Sequence, residues 1–254
     1  MTEPLLQIRG LTKRFGGVIA ADEIGLDIAR DEFHAVIGPN GAGKTTLIGL
    51  LAGEIVPQGG SVRFDGSDIA GLSVDRRSRL GLARSFQITS LFSGFTALDN
   101  VALAVQSHSG HSFRFWRDAR REASLREPAL AALAEVGLAG RADMLVDRLS
   151  HGEHRQLEIA IALATGPRLL LLDEPMAGLG PDESARMVEM LRKLKGAMTI
   201  LLIEHDMETV FALADRVTVL VYGRVIASGD PAAIRADPAV REAYLGEQEP
   251  RAHD

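Results

Sequence analysis

The chain has 254 residues, of which 46% are hydrophobic and 24% charged, a composition that builds a core and excludes a wholly disordered chain. A net charge of −6 argues against nucleic-acid binding, and the lack of cysteine excludes disulfides and thiolate metal sites. The longest purely aliphatic runs, such as Leu169–Leu172, are far shorter than the roughly twenty residues needed to span a bilayer, so a soluble chain is expected.

The opening Met1-Thr-Glu-Pro4 carries no basic stretch followed by an apolar one, so no export signal is expected. The first third reads as strands. Ile24, Leu26 and Ile28 alternate with polar or small residues, as do Val62 and Phe64 before the turn Asp65-Gly66. Phe33–Ile37 is a short apolar run leading into glycines, followed by the helical pattern Leu47, Ile48, Leu50, Leu51. This strand–loop–helix order opens an α/β fold.

From about residue 85 to 149 the pattern turns helical, including an alanine- and leucine-rich run from Pro128 to Val136 that ends at Gly137. The segment from Val105 to Arg126 is basic and aromatic, with Phe113, Phe115 and Trp116. The α/β rhythm then returns. A helix is expected from near Gly152, a buried strand at Leu169–Leu172, and a charged helix from about Pro181 to Lys195. A strand at Thr199–Ile203 and a hairpin turning at Tyr222-Gly-Arg224 complete it. The organisation is an α/β core with a helical insertion.

Gly38-Pro39-Asn40-Gly41-Ala42-Gly43-Lys44-Thr45, followed by Thr46, matches a phosphate-binding loop. Its glycines let successive backbone N–H groups face phosphate oxygens, and the following helix adds the positive end of its dipole. Lys44 is placed to reach the β- and γ-phosphates of ATP, and Thr45 to offer a hydroxyl to Mg²⁺. Asp173 and Glu174 end the aliphatic run Leu169–Leu172. Strand C-termini border the ligand crevice of a parallel sheet, so Asp173 suits Mg²⁺ and Glu174 suits polarising an attacking water. An acidic pair that only caps a helix is the plain alternative.

Leu149-Ser150-His151-Gly152-Glu153-His-Arg-Gln156 resembles the signature of ABC ATPases, commonly Leu-Ser-Gly-Gly-Gln, with His151 and Glu153 departing from it. Ser150 and the Gly152 backbone at a helix start make an anion site, while Ser150 with Glu153 also fits a capping box. The resemblance spans residues 15 to 205. It implies a P-loop NTPase (RecA-like) core with an antiparallel β subdomain and an inserted α-helical subdomain at about 85–155. The cassette would span 1–247, with a loose tail at 248–254.

The same resemblance implies roles for single residues. Phe15 stacks on adenine, unless it is a core residue. Gln87 senses Mg²⁺ and the γ-phosphate and signals to the permease. His205 contacts the γ-phosphate, and Ser150, Gly152 and Glu153 meet the nucleotide held by the other subunit. The extra charge of Glu153 is expected to weaken ATP affinity or slow closure, and Gly180 stands where the dimer-contacting loop usually has aspartate.

Residues Arg84–Phe92, Leu157-Glu-Ile-Ala160 and Ala243–Glu247, and the long segment between Asn100 and Glu127, are similar to the larger ATPase subunit of branched-chain amino acid importers. Urea and short-amide importers share these traits, lipopolysaccharide-export ATPases less so, and a soluble ABC ATPase outside transport is a further alternative. The resemblance implies a self or paralogous ATPase partner, permease subunits, and indirectly an extracytoplasmic solute-binding protein. It places the chain peripherally on the cytoplasmic face of the inner or plasma membrane. The stretch Arg114–Arg121 suits anionic headgroups, a permease loop, or an exposed helix packing Phe113 and Trp116 inward.

Overall fold

The structure, a computed structural model, describes residues 3–85, 91–108 and 122–245. They fall into two compact units, one holding the described residues of Met1–Arg77, Leu172–Glu174 and Lys195–Asp254, the other those of Ser78–Leu171 and Pro175–Leu194.

The first unit opens with the antiparallel pair β1 (Leu6–Phe15) and β2 (Val18–Ile28), in which Ile24, Leu26 and Ile28 turn inward as the alternation requires. Next come β3 (Phe33–Ile37) and helix α1 (Lys44–Ala52), which ends at Gly53 in the left-handed conformation, φ 87°. Strand β4 (Gly59–Phe64) pairs with β1 and leads into the two-residue strand β5 (Ser67–Asp68), giving the order β2-β1-β4-β5. The short helix α2 (Val74–Arg79) follows, and its Arg77 is almost fully buried.

In the second unit β6 (Leu82–Arg84) pairs in parallel with the start of β7 (Leu169–Asp173), and the first helices after β6 among the described residues are α3 (Ala97–His108) and α4 (Ala123–Glu135). Helix α4 starts five residues ahead of the expected Pro128. That proline sits in the second turn, where the carbonyl it leaves without a donor belongs to the exposed Ser124. Leu125, Ala129, Ala132 and Leu133 form its buried stripe. Helix α5 (His151–Leu163) precedes β7 (Leu169–Asp173), every residue of which is buried.

Helix α6 (Pro181–Leu194) buries Met187, Met190, Leu191 and Leu194. It carries Asp182 and Glu183 in its first turn and Arg192 and Lys193 in its last, signs that match the helix dipole.

The chain returns to the first unit with β8 (Thr199–Ile203), helix α7 (Met207–Leu213), and the hairpin β9 (Arg216–Val221) and β10 (Arg224–Gly229). Strand β3 lies between β8 and β9 and parallel to both, which accounts for its unbroken run of buried residues. Helices α8 (Pro231–Ala236) and α9 (Pro238–Leu245) end the described chain. Among the described residues no helix is long and apolar enough to cross a membrane.

Candidate functional site

Residues Gly38–Gly43 form the loop from β3 into α1, and two glycines in it are demanded by the protein itself. A Cβ on Gly38 would lie 2.1 Å from the Leu220 carbonyl oxygen, and one on Gly43 would lie 2.2 Å from that of Ala20. Gly43 also takes φ 101°, which L side chains avoid. Gly41, at φ 78°, has open space where a side chain would be. The Gly223 N–H donates to the Ala42 carbonyl at 2.8 Å, so the β9–β10 turn steadies the loop from one side.

The N-cap of α1 is Gly43, which has no side chain to cap it, and a helix N-terminus of this kind favours an anion. Lys44 is buried, and its Nζ donates to the carbonyls of Gly38 (2.6 Å) and Pro39 (3.0 Å). Thr45 is exposed and Thr46 half-buried.

Asp173 is buried at the end of β7. Glu174 follows with φ 46°, an uncommon conformation for a residue with a side chain, fixed by its N–H donating to the Ile203 carbonyl at 2.9 Å. Its Oε1 lies 3.9 Å from His205 Nδ1, and that histidine is mostly exposed. Asp206 caps α7, with Thr209 Oγ1 donating to its carboxylate at 2.7 Å and the Glu208 N–H at 3.0 Å. The Thr209 hydrogen bond, supported by the backbone bonds and by His205 and opposed by desolvation, holds the Asp206 carboxyl below the usual range. Phe15 is 49% exposed at the end of β1, which removes it from the core, and Lys13 Nζ stands 5.2 Å from its ring centre. Thus Lys44, Thr45, Asp173, Glu174, His205 and Phe15 all belong to the first unit.

Ser150, Gly152 and Glu153 belong to the second. Ser150 is the N-cap of α5 and completes a capping box: its Oγ accepts from Glu153 N–H (3.2 Å) while Glu153 Oε2 accepts from Ser150 N–H (2.8 Å). Arg141 Nε donates to Glu153 Oε1 at 2.9 Å. Glu153 therefore has two local partners, a cap and a cation, that its sequence position does not announce.

His151 is exposed, its Nε2 3.2 Å from where a Cβ on Gly178 would be. Gly178 itself takes φ 79° in the loop that ends at Gly180. Gln87 and the stretch Arg114–Arg121 lie outside the described residues.

Sequence reasoning overlooked two features, one residue and one backbone conformation. One is Glu183, whose Oε1 accepts from Ser150 Oγ (3.2 Å) and from Gly152 N–H (3.3 Å). Its position in the first turn of a charged helix signals only a favourable dipole. The other is the left-handed backbone of Glu174, which no residue type announces.

The donor set is hard: a carboxylate at Asp173 and a hydroxyl at Thr45 suit Mg²⁺, which prefers oxygen ligands. Among the described residues no cluster of three or more His, Asp or Glu side chains could hold a metal unaided. Two adjacent carboxylates, a cationic Lys44 and the N-terminal end of α1 are groups that suit a polyphosphate and a water to attack it.

A family model described as ABC transporter matches residues 21–177, and one described as branched-chain amino acid ATP-binding cassette transporter matches residues 224–250. The sequence is 40% identical to the high-affinity branched-chain amino acid transport ATP-binding protein BraF of Pseudomonas aeruginosa, over 97% of this chain and 100% of that protein. It is 38% identical to the corresponding protein LivG of Escherichia coli K12, again over 97% and 100%. A solved ATP-binding cassette of an ABC transporter in its ADP conformation superposes with TM-score 0.85 at 28% identity, covering 96% of this chain and 100% of that one.

Proposed function

The chain belongs to the family of ABC transporter ATP-binding proteins, and on that premise we propose that it hydrolyses ATP to drive import of branched-chain amino acids through a membrane permease. The observation that carries the solute class is end-to-end similarity to two branched-chain amino acid transport proteins, together with the match at residues 224–250. The chain sits peripherally on the cytoplasmic face of the membrane, paired with itself or a paralogous ATPase, and meets permease subunits through the helical insertion at about 85–155. A solute-binding protein outside the membrane acts on it only through the permease.

In this reading Gly38–Thr46 wrap the phosphates, Phe15 stacks on adenine, and Lys44 leaves the carbonyls of Gly38 and Pro39 to meet the β- and γ-phosphates. Thr45 and Asp173 would hold Mg²⁺, a role that the family resemblance also gives to Gln87. The metal, when bound, neutralises phosphate charge. Glu174 orients the attacking water from a backbone held left-handed by its hydrogen bond to Ile203, and His205 steadies the charge developing on the γ-phosphate. Ser150 and Gly152 of each subunit close on the γ-phosphate bound by the other, and hydrolysis separates them.

ATP turnover of the purified chain, measured against protein concentration for wild type and Glu174→Gln with mass determination in ATP, tests this. Turnover rising steeply with concentration, and lost in a variant that accumulates as an ATP-bound dimer, is the expected result. Unchanged turnover in Glu174→Gln would reject the catalytic assignment. Uptake of labelled leucine set against labelled urea, in cells with and without the chain, tests the solute class.

A further inference from the structure

The donors at the start of α5 are engaged by a group from the chain itself. Glu183, in the first turn of α6, turns its carboxylate onto Ser150 Oγ and the Gly152 N–H through the single oxygen Oε1, at 3.2 and 3.3 Å. Gly152 is what permits this approach, since a Cβ there would stand 2.7 Å from the same oxygen. Burial works against the charged carboxyl, but hydrogen bonds from Ser150, Gly180 and Gly152, with the nearby charge of Arg186, outweigh it and hold Glu183 below the usual carboxylate range. The group on these donors is therefore an anion at neutral pH.

A carboxylate oxygen and a phosphate oxygen ask for the same thing: N–H and O–H donors at a helix N-terminus. They cannot share two donors about 3 Å away, because like charges at that range repel strongly. We propose that Glu183 is a built-in competitor that occupies the donors of Ser150 and Gly152 in the free chain and has to leave before the γ-phosphate of an ATP held by a second subunit can bind them. The proposal rests on the sandwich reading above.

Room and a partner for the displaced side chain exist within the same unit. A cleft of about 580 Å³ is lined by Ser150, Gly152, Glu153, Glu183, Arg141 and Arg186. Arg186 lies one turn along α6, the spacing at which a helical ion pair forms. The contact thus acts as a threshold. The signature donors stay shut to small anions, and closure requires a ligand that offers more than one carboxylate does.

Amide NMR of the full chain, titrated with inorganic phosphate, tests the competition in wild type, Glu183→Gln and Glu183→Ala. The amides of Gly41 and Gly43 report on the phosphate loop and are expected to respond alike in all three. The amides of Gly152 and Glu153 are expected to respond in Glu183→Ala at about tenfold lower phosphate than in wild type, with Glu183→Gln between.

Loop amides that respond while Gly152 and Glu153 behave identically in the three proteins would overturn the proposal. Loop amides that stay silent would overturn the nucleotide-site reading beneath it. In the Glu174→Gln background, Glu183→Ala is expected to lower the ATP concentration for half-maximal dimer about tenfold. A rise instead would make Glu183 a residue that positions the donors, and would equally overturn the competition.

Discussion

Replacing Arg77 by methionine removes a buried cation that four main-chain carbonyls depend on. Arg77 is 1% exposed, and its guanidinium donates to Leu50 (2.7 Å), Leu51 (2.7 Å), Ala70 (2.9 Å) and Leu72 (3.0 Å). Leu50 and Leu51 lie in the last turn of α1, whose carbonyls have no partner within the helix. Burial pushes the guanidinium's pKa down from its ordinary value, with Asp68 opposing the change, so the charge is costly and is retained through these bonds.

Methionine fills similar volume but donates nothing. The buried carbonyls of Leu50 and Leu51 cost about 1–3 kcal/mol each when left unsatisfied, the part-buried ones of Ala70 and Leu72 less, and relief of the buried charge offsets part of the sum. The expected loss is about 3 kcal/mol. Against a total stability on the order of 5–15 kcal/mol this is large. Lysine keeps the charge but not the planar fork, so Arg77→Lys should lose roughly half as much.

Urea unfolding followed by circular dichroism measures both. A fluorescent ATP analogue, used well below the unfolding midpoint, should bind close to wild type. Helix α1 is roughly 13 Å long and Arg77 holds the end away from the phosphate loop. A loss below about 1 kcal/mol in Arg77→Met would refute the reasoning.

Gly43→Ala combines a left-handed φ with a 2.2 Å approach to the Ala20 carbonyl, and should cost about 2–4 kcal/mol and weaken ATP binding. Gly41→Ala meets nothing within 4 Å and should cost only the conformational strain, about 1–2 kcal/mol. Thermal melts in which Gly41→Ala is the more damaging would contradict the packing argument. Asp206→Ala should cost about 1 kcal/mol at neutral pH through loss of the α7 cap. Because the folded carboxyl lies below its ordinary value, that stabilisation is present above the unfolded pKa of about 3.9 and vanishes as pH falls through the folded value. The difference between wild type and variant, followed by urea titration from pH 7 to pH 3, should therefore be flat and then shrink at the acid end.

What the sequence determined by itself was whatever depends on neighbours along the chain. The spacing of Gly38–Thr45, the aliphatic run ending in Asp173 and Glu174, and the cap Ser150 with Glu153 each state a local geometry, and all three stand on strands or helix starts as expected. The alternation of Ile24, Leu26 and Ile28 likewise announced which face is buried.

Only the tertiary structure decided what depends on approaches between distant segments. Ala20 and Leu220 dictate glycine at 43 and 38, and Arg77 reaches back to close α1. Arg141 pairs with Glu153, and Glu183 settles on Ser150. A charged residue carries no mark of its partner until folding brings the two within hydrogen-bond reach. That is why one unusual carboxylate of the signature, alarming in the sequence, proves to be paired, while an ordinary glutamate thirty residues on holds the donors.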